Sequence, residues 1–184
     1  LIANATQAAA LVGLMTYFAA YMIESYGWDE AKTAPGLAML GVGAVIGSFA
    51  GGFIAGRARR LEWLAAISLT SGAVTGLFFV LDAHAWIVVA VAFAASVLVS
   101  VSVPVLTTLN MHLAGQSRGT AGGMFAASNQ FGGVVGASAG GLMLSLGGYT
   151  AVGLLCLVAA VLSASVVGLI MRRSPEFRLG GAGT

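Results

Sequence analysis

Five long stretches of this sequence contain no Asp, Glu, Lys or Arg. They cover residues 1–23, 33–56, 63–81, 83–117 and 119–171, and they are 23, 24, 19, 35 and 53 residues long. A helix that crosses the hydrocarbon core of a bilayer needs about 20 predominantly apolar residues. The first three stretches suit one crossing each, and each of the last two is long enough for two. The chain is therefore predicted to be an integral membrane protein.

The composition excludes several other classes of protein. Apolar residues make up 59% of the chain and charged residues 8%, whereas a soluble domain has about 25% charged residues. A net charge of +2 provides no basic groove, so nucleic acid is not an expected partner. A single cysteine cannot hold a disulfide framework. No residue cluster indicates a metal or a cofactor, and the lipid bilayer is the first partner that the composition implies.

Turn-forming and charged residues divide the uncharged stretches into six predicted helices. The predicted spans are 4–26, 33–56, 62–81, 85–110, 120–146 and 151–171. The last division depends on the turn Gly147-Gly148-Tyr149-Thr150 inside the longest stretch. We predict an all-α bundle of six transmembrane helices over residues 1–173 and a flexible cytoplasmic tail over residues 174–184.

Lys and Arg are unevenly distributed between the two ends of such a bundle. Six crossings place both termini on one side together with Arg57, Arg59, Arg60, Arg118, Arg172, Arg173 and Arg178. The opposite side has only Lys32, accompanied by acidic residues. Cytoplasmic loops carry an excess of Lys and Arg, so both termini are predicted to be cytoplasmic, in a plasma (inner) membrane.

Glycines repeat every four residues on two of the predicted helices. The repeating residues are Gly43, Gly47 and Gly51 on the second helix and Gly132, Gly136 and Gly140 on the fifth. This spacing stacks them along one helix face, where another backbone can approach closely in lipid. The glycines either pack tightly within the six-helix unit or contact something outside it, such as a missing second half.

Three short motifs lie in the loop after the second predicted helix and on the fifth. They are Gly52-Phe53-Ile54-Ala55-Gly56-Arg57-Ala58-Arg59-Arg60, Arg118-Gly119-Thr120-Ala121 and Gly132-Gly133-Val134-Val135-Gly136-Ala137-Ser138-Ala139-Gly140-Gly141. Together they resemble the major facilitator superfamily. The first is similar to the family's Gly-x-x-x-Asp-Arg-x-Gly-Arg-Arg loop, one residue shorter and with Gly56 at the aspartate position. The last is similar to its Gly-x-x-x-Gly-Pro-x-x-Gly-Gly antiporter motif, with Ala137 replacing proline.

The resemblance implies half of a twelve-helix secondary active transporter. The degenerate loop, a fourth helix without an embedded arginine and the short basic tail are similar to the family's second six-helix repeat. This implies the C-terminal half of a drug or sugar efflux permease, exporting a small molecule by alternating access with a missing N-terminal half. The resemblance also implies that the repeating glycines contact that half and that Arg57, Arg59 and Arg60 hold the inner gate loop.

Four polar side chains within the predicted spans are candidates for lining a substrate cavity. Asn129 lies eleven residues after Arg118, about 16 Å at 1.5 Å per residue, which is near the middle of the bilayer. Gln130 lies about 100° further around the helix. Tyr17 and Tyr21 share one face of the first helix, which lines the cavity in the resembled family. The alternatives are interhelical hydrogen bonds for the amides and an interfacial aromatic belt for the tyrosines.

Coupling and catalysis leave weaker signals. No carboxylate lies near the middle of a predicted span, so a proton carrier of the kind transporters need is expected in the missing half or at Glu24. The segment Gly136-Ala137-Ser138-Ala139-Gly140 matches a serine-hydrolase motif but lacks the strand–turn–helix context, so no enzymatic activity is predicted. The alternative function is a complete six-helix protein that dimerises as a channel or accessory subunit.

Overall fold

The computed structural model describes residues 1–57 and 60–173, with the side chains at 60, 61 and 170–173 left aside. This part of the chain contains five α-helices, each with a segment long and apolar enough to cross a membrane. They are α1 (Ile2–Tyr26), α2 (Glu30–Ala55), α3 (Arg60–Val80), α4 (Ala85–Ala114) and α5 (Arg118–Arg173). Arg59 and the predicted tail over residues 174–184 lie outside the described residues.

The helix boundaries follow local capping signals. The Asp29 carboxylate accepts a 2.7 Å hydrogen bond from the backbone N–H of Lys32, which satisfies a free donor of the first turn. Helix α2 therefore begins at Glu30, three residues before the predicted start at residue 33. Helix α1 ends at Gly27, whose φ of 64° is a left-handed conformation that glycine adopts without steric conflict.

Helix α5 is interrupted at the predicted Gly-Gly turn. Only Gly147 (φ −153°, ψ 20°) and Gly148 (φ 66°, ψ −161°) are non-helical inside it. The sequence predicted two helices separated by four residues. In the structure only two residues separate them, because Tyr149 and Thr150 are already helical. The positive φ of Gly148 allows so short an interruption. We call residues 118–146 the first arm of α5 and residues 149–173 the second arm.

The two arms run in opposite directions along α1. The residue pairs in contact are Ala5–Gly132 and Ala9–Gly136 for the first arm, and Gln7–Ser163 and Tyr21–Tyr149 for the second. Residue numbers rise together in the first set, so the first arm is parallel to α1. They run oppositely in the second set, so the second arm is antiparallel. The chain therefore reverses direction at Gly147 and Gly148.

Two clusters of buried apolar side chains mark the two ends of the bundle. One contains Ala3, Ala55, Leu64, Val105, Leu106, Leu109 and Val167. These residues come from the beginnings of α1 and α3 and the ends of α2, α4 and α5. We call this the basic end, because Arg57 and Arg118 flank the helix termini that meet there. The other cluster includes Phe18, Tyr21, Phe78 and Phe79, and we call that end the aromatic end.

The repeating glycines pack inside this unit, which is the first of the two arrangements expected from their spacing. A Cβ on Gly47 would overlap the carbonyl oxygen of Val97 on α4 and lie 2.9 Å from the Ser100 Cβ. A Cβ on Gly136 would overlap the carbonyl oxygen of Ala9 on α1. Gly43 and Gly51 likewise approach backbone carbonyls of α4, and Gly132 approaches a backbone carbonyl of α1. Gly140 instead lies against the ring of Tyr17 on α1. Glycine spacing thus brings α2 against α4 and the first arm of α5 against α1.

The faces that α2 and α5 turn away from the unit are apolar and carry large side chains. The most exposed are Val42, Val45, Phe49 and Phe53 on α2 and Phe131, Val134, Leu142 and Leu146 on the first arm of α5. These residues, and not the glycines, form the surface that lipid or another protein would contact.

Candidate substrate-facing surface

Asn129 and Gln130 are exposed on the first arm of α5, near its middle. Neither amide has a hydrogen-bonding partner among the described residues. A primary amide left unpaired in hydrocarbon costs several kcal/mol, at about 4–8 kcal/mol by transfer to an alkane. These side chains therefore require water, a substrate or a polar partner next to this surface. Their roles in substrate contact remain predictions.

The edge of α5 that carries Gln130 borders α1 and α4. Gly133, three residues later, would place a Cβ 3.2 Å from the side chain of Val12 on α1. Gly122, which precedes Gln130 by eight residues, would place a Cβ 3.3 Å from the side chain of Met111 on α4. The Asn110 amide of α4 donates a 2.8 Å hydrogen bond to the Ala121 carbonyl. Gln130 thus lies beside the junction of three helices, with the junction held by hydrogen bonding at its basic end.

The two candidate tyrosines are buried inside the unit. The Tyr17 hydroxyl donates to the Ala137 carbonyl, and its ring lies against Gly140. Tyr21 packs edge-on against Phe78, with the ring centroids 5.0 Å apart, inside the aromatic cluster. Its ring fills the space between α1 and α3, and its role at a substrate cavity stays a prediction. Tyr17 borders a different space, the groove between α1 and the arms of α5.

Hydrogen-bonded tyrosines close the aromatic end. The hydroxyls of Tyr21 and Tyr26 lie 3.4 Å and 3.2 Å from the Leu81 carbonyl oxygen, to which both donate. This carbonyl follows the last residue of α3, where helix carbonyls lack intrahelical partners. Tyr149 donates a 2.8 Å hydrogen bond to the Glu24 carboxylate, which connects the start of the second arm to the end of α1.

Sequence analysis missed two buried amides on α1. The Asn4 amide donates to the Ser128 hydroxyl (2.7 Å) and to the Phe125 carbonyl (3.1 Å). The Gln7 amide donates to the hydroxyls of Ser68 (2.8 Å) and Ser163 (3.4 Å). These bonds connect α1 to α3 and to both arms of α5. One feature of the sequence could have identified them: two amide residues lie three positions apart in an uncharged stretch. Such amides must find hydrogen-bonding partners once the helix enters lipid.

The loop motif lies at the basic end, just beyond α2. Gly52 and Arg57 are exposed, and nothing lies within 4 Å of a Cβ built on Gly52. Arg60 is the first residue of α3. Gly51, one residue before the motif, makes the close helix contact. The structure therefore places the described part of the loop on the surface at the end of the bundle where both arms of α5 also terminate.

The serine-hydrolase motif lacks a catalytic arrangement in the described residues. Ser138 is exposed within the first arm of α5, and no hydrogen bond connects it to His84 or His112. A nucleophilic serine needs a base within hydrogen-bonding reach. Within the same residues, no group of three or more His, Cys, Asp or Glu is placed to bind a metal ion.

The family model of the Major Facilitator Superfamily matches residues 1–183. Comparison with curated proteins and with solved structures gives no significant match. Because the family model covers almost the whole chain, the chain belongs to the major facilitator superfamily of membrane transporters, as its motifs implied.

Proposed function

We propose that this member of the major facilitator superfamily forms the C-terminal six-helix half of a transporter that exports a small molecule by alternating access. The observation that carries the proposal is the pair Asn129 and Gln130, exposed and without a partner in the described residues, midway along an apolar helix arm. Lipid chains offer these amides no hydrogen bonds. A water-filled substrate path between two halves offers them.

The reversal at Gly147 and Gly148 supports six membrane crossings. Each arm of α5 is more than 24 residues long, and the two arms are antiparallel, so each is long enough to cross about 30 Å of hydrocarbon. The basic end would then face the cytoplasm of a plasma (inner) membrane, because Lys and Arg concentrate there. Both ends of the described chain lie on that side.

The contact with the other half is proposed to use the exposed faces of α2 and α5. Phe49 is 71% exposed, Phe53 76% and Phe131 68%. Aromatic side chains of this size supply large contact areas in protein interfaces. The glycines support this contact indirectly, by holding α2 and the first arm of α5 against the inner helices.

Two polar regions are proposed to act in transport. Gln130, and Asn129 beside it, would contact the substrate. Arg57, with Arg59 and Arg60, would hold the cytoplasmic gate loop and contact anionic lipid headgroups. Protons are a candidate coupling ion, with their carrier in the other half or at Glu24, which lies at the aromatic end under Tyr149.

The coding sequence that surrounds this chain tests the assignment to a half. A continuous reading frame upstream of Leu1 with six further apolar spans is expected. An independent start immediately before Leu1 would instead favour the dimeric channel or accessory subunit.

The three loop arginines provide a test of the cytoplasmic gate. The triple replacement of Arg57, Arg59 and Arg60 by Ala should reduce export or invert insertion, since it removes three of the seven positive charges of the basic end. Export from cells and the reactivity of a tag at the terminus report these two effects separately. Normal export with normal topology would contradict both proposed roles.

A further inference from the structure

A groove of about 490 Å³ runs along α1 between the two arms of α5. This volume lies in the range of small-molecule sites, about 300–1,000 Å³. Small residues of α1 form its floor, and nothing lies within 4 Å of a Cβ built on Gly13. Exposed Phe131, Val158 and Leu162 border it. It is therefore an open trough in a part of the protein that is proposed to lie in the membrane.

The hydroxyl groups of the groove have no free proton to donate to an occupant. Three hydroxyl groups lie in its lining, and each is donated to a backbone carbonyl of the protein itself: Thr6 to Ala3, Ser128 to Phe125 and Tyr17 to Ala137. The rest of the lining consists of aliphatic residues, glycines, Phe131 and the Cys156 thiol. The part of an occupant inside the groove must therefore be apolar.

The length of the groove suits an extended alkyl chain. Its lining along α1 extends from Ile2 to Tyr17, which is about 22 Å at 1.5 Å per residue. One leaflet of the hydrocarbon core, half of about 30 Å, is shorter than this. The groove is therefore long enough to hold the whole alkyl chain of a lipid that enters at one end.

The Glu24 carboxylate lies beyond the aromatic end of the groove and is not part of its lining. Glu24 follows Gly13 by eleven residues and Tyr17 by seven, so all three lie within about 40° on one face of α1. Tyr149, whose hydroxyl donates to Glu24, lies three residues before the lining residue Val152. Glu24 is exposed, and no cationic side chain pairs with it among the described residues. A ligand that extends past Tyr17 and Val152 at this end of the groove would therefore meet the Glu24 carboxylate.

We propose that this groove binds a phospholipid whose alkyl chain fills the groove and whose protonated primary amine pairs with Glu24. The apolar lining selects the chain, and the carboxylate selects a primary-amine headgroup over a quaternary one, because only the former can donate hydrogen bonds to it. Gln130 is not part of the groove lining, so lipid binding can be measured without transport.

The purified chain, titrated in detergent with phosphatidylethanolamine or phosphatidylcholine of identical acyl chains, tests the headgroup contact. The midpoint of thermal unfolding should respond to phosphatidylethanolamine at about fivefold lower concentration, the equivalent of about 1 kcal/mol for a partly exposed ion pair. Glu24→Gln should remove this preference but keep the response to lipid. Tyr149→Phe, which keeps the charge, should retain the preference. Equal responses of the wild type to the two lipids would overturn the headgroup contact.

Filling the groove tests its occupation by the chain. Gly13→Leu should abolish the response to both lipids, whereas Gly41→Leu, at a site on α2 that also has nothing within 4 Å of its Cβ, should leave it unchanged. In the wild type, bound lipid should slow alkylation of Cys156, which is the only cysteine of the chain and lines the groove. This second measurement needs no variant to fold.

Two results would overturn the proposal. One is a Cys156 alkylation rate that is independent of lipid. The other combines two observations: lipid has no effect on the wild type, and the wild type is a dimer that Gly13→Leu converts to a monomer. Together they would assign the groove to a second copy of the chain.

Discussion

Replacing Gly47 by alanine should separate α2 from α4. The added Cβ would overlap the Val97 carbonyl oxygen and lie 2.9 Å from the Ser100 Cβ. Carbon–oxygen contacts in proteins need about 3.3 Å, and a backbone carbonyl inside a helix cannot rotate away. The two helices must therefore move apart along their contact. Overpacking of this kind costs typically about 1–3 kcal/mol.

Gly41→Ala provides the matched control on the same helix. A Cβ at Gly41 has nothing within 4 Å, so this variant gains only the helix propensity of alanine over glycine, up to about 1 kcal/mol. Gly47→Ala receives the same gain, so the difference between the two variants isolates the packing cost.

The assay is reversible unfolding of each variant in mixed detergent micelles, followed by tryptophan fluorescence. Gly47→Ala should have a free energy of unfolding about 1–3 kcal/mol below that of Gly41→Ala. If the two variants have equal stability, the close packing of α2 on α4 through its glycines is refuted.

Three further variants test individual contacts by the same unfolding assay. Ser68→Ala leaves the buried Gln7 amide with only its longer hydrogen bond, the one to Ser163. It should lower the free energy of unfolding by about 0.6–1.7 kcal/mol, the range for interhelical hydrogen bonds in a membrane protein. The control Ser165→Ala, at an exposed serine, should change stability little, and equal effects of the two variants would contradict the Gln7–Ser68 bond. Gly148→Ala puts a Cβ on a backbone with φ 66° and ψ −161°, a region that is essentially confined to glycine, and should cost about 1–3 kcal/mol. An unchanged stability would argue against the reversal there. Ser96→Ala removes a 2.7 Å bond to a carbonyl of α2 and should destabilise within the same range as Ser68→Ala, unless α2 and α4 are held by packing alone.

The positions of the helices could be predicted because charge is nearly absent from them. Lys32, Glu62 and Asp82 interrupt the apolar stretches at the ends of spans, and the predicted interruption at Gly147 and Gly148 coincides with the non-helical residues of α5. These features are local, since they depend on the cost of charge in lipid and on the dihedral freedom of glycine. Neither depends on how the helices pack.

The packing partners could not be predicted, for a physical reason. Four-residue spacing identifies the face on which Gly47 and Gly136 lie, but a close contact with any helix would explain it equally well. In lipid both faces of a helix are apolar, so the pattern of hydrophobicity does not separate the inside from the outside. The same ambiguity applies to Tyr21, whose ring packs inside the unit.

The candidate site was predicted only through its amides. Asn129 and Gln130 were singled out for their depth in the membrane, and both are exposed in the structure. Asn4 and Gln7 have the same chemistry and are buried with partners. Sequence alone does not distinguish an amide that connects helices from one that awaits a ligand, because burial is decided by the fold.

Thiol labelling distinguishes a water-filled path at Gln130 from a surface that faces lipid or protein. In a Cys156→Ala background, Gln130→Cys in membrane vesicles should react with a charged, membrane-impermeant thiol reagent. Phe131→Cys, at the same depth but about 100° around the helix and 68% exposed at its native side chain, should remain unreactive because it faces lipid or protein. Labelling of Phe131→Cys but not of Gln130→Cys, or of neither, would contradict the account.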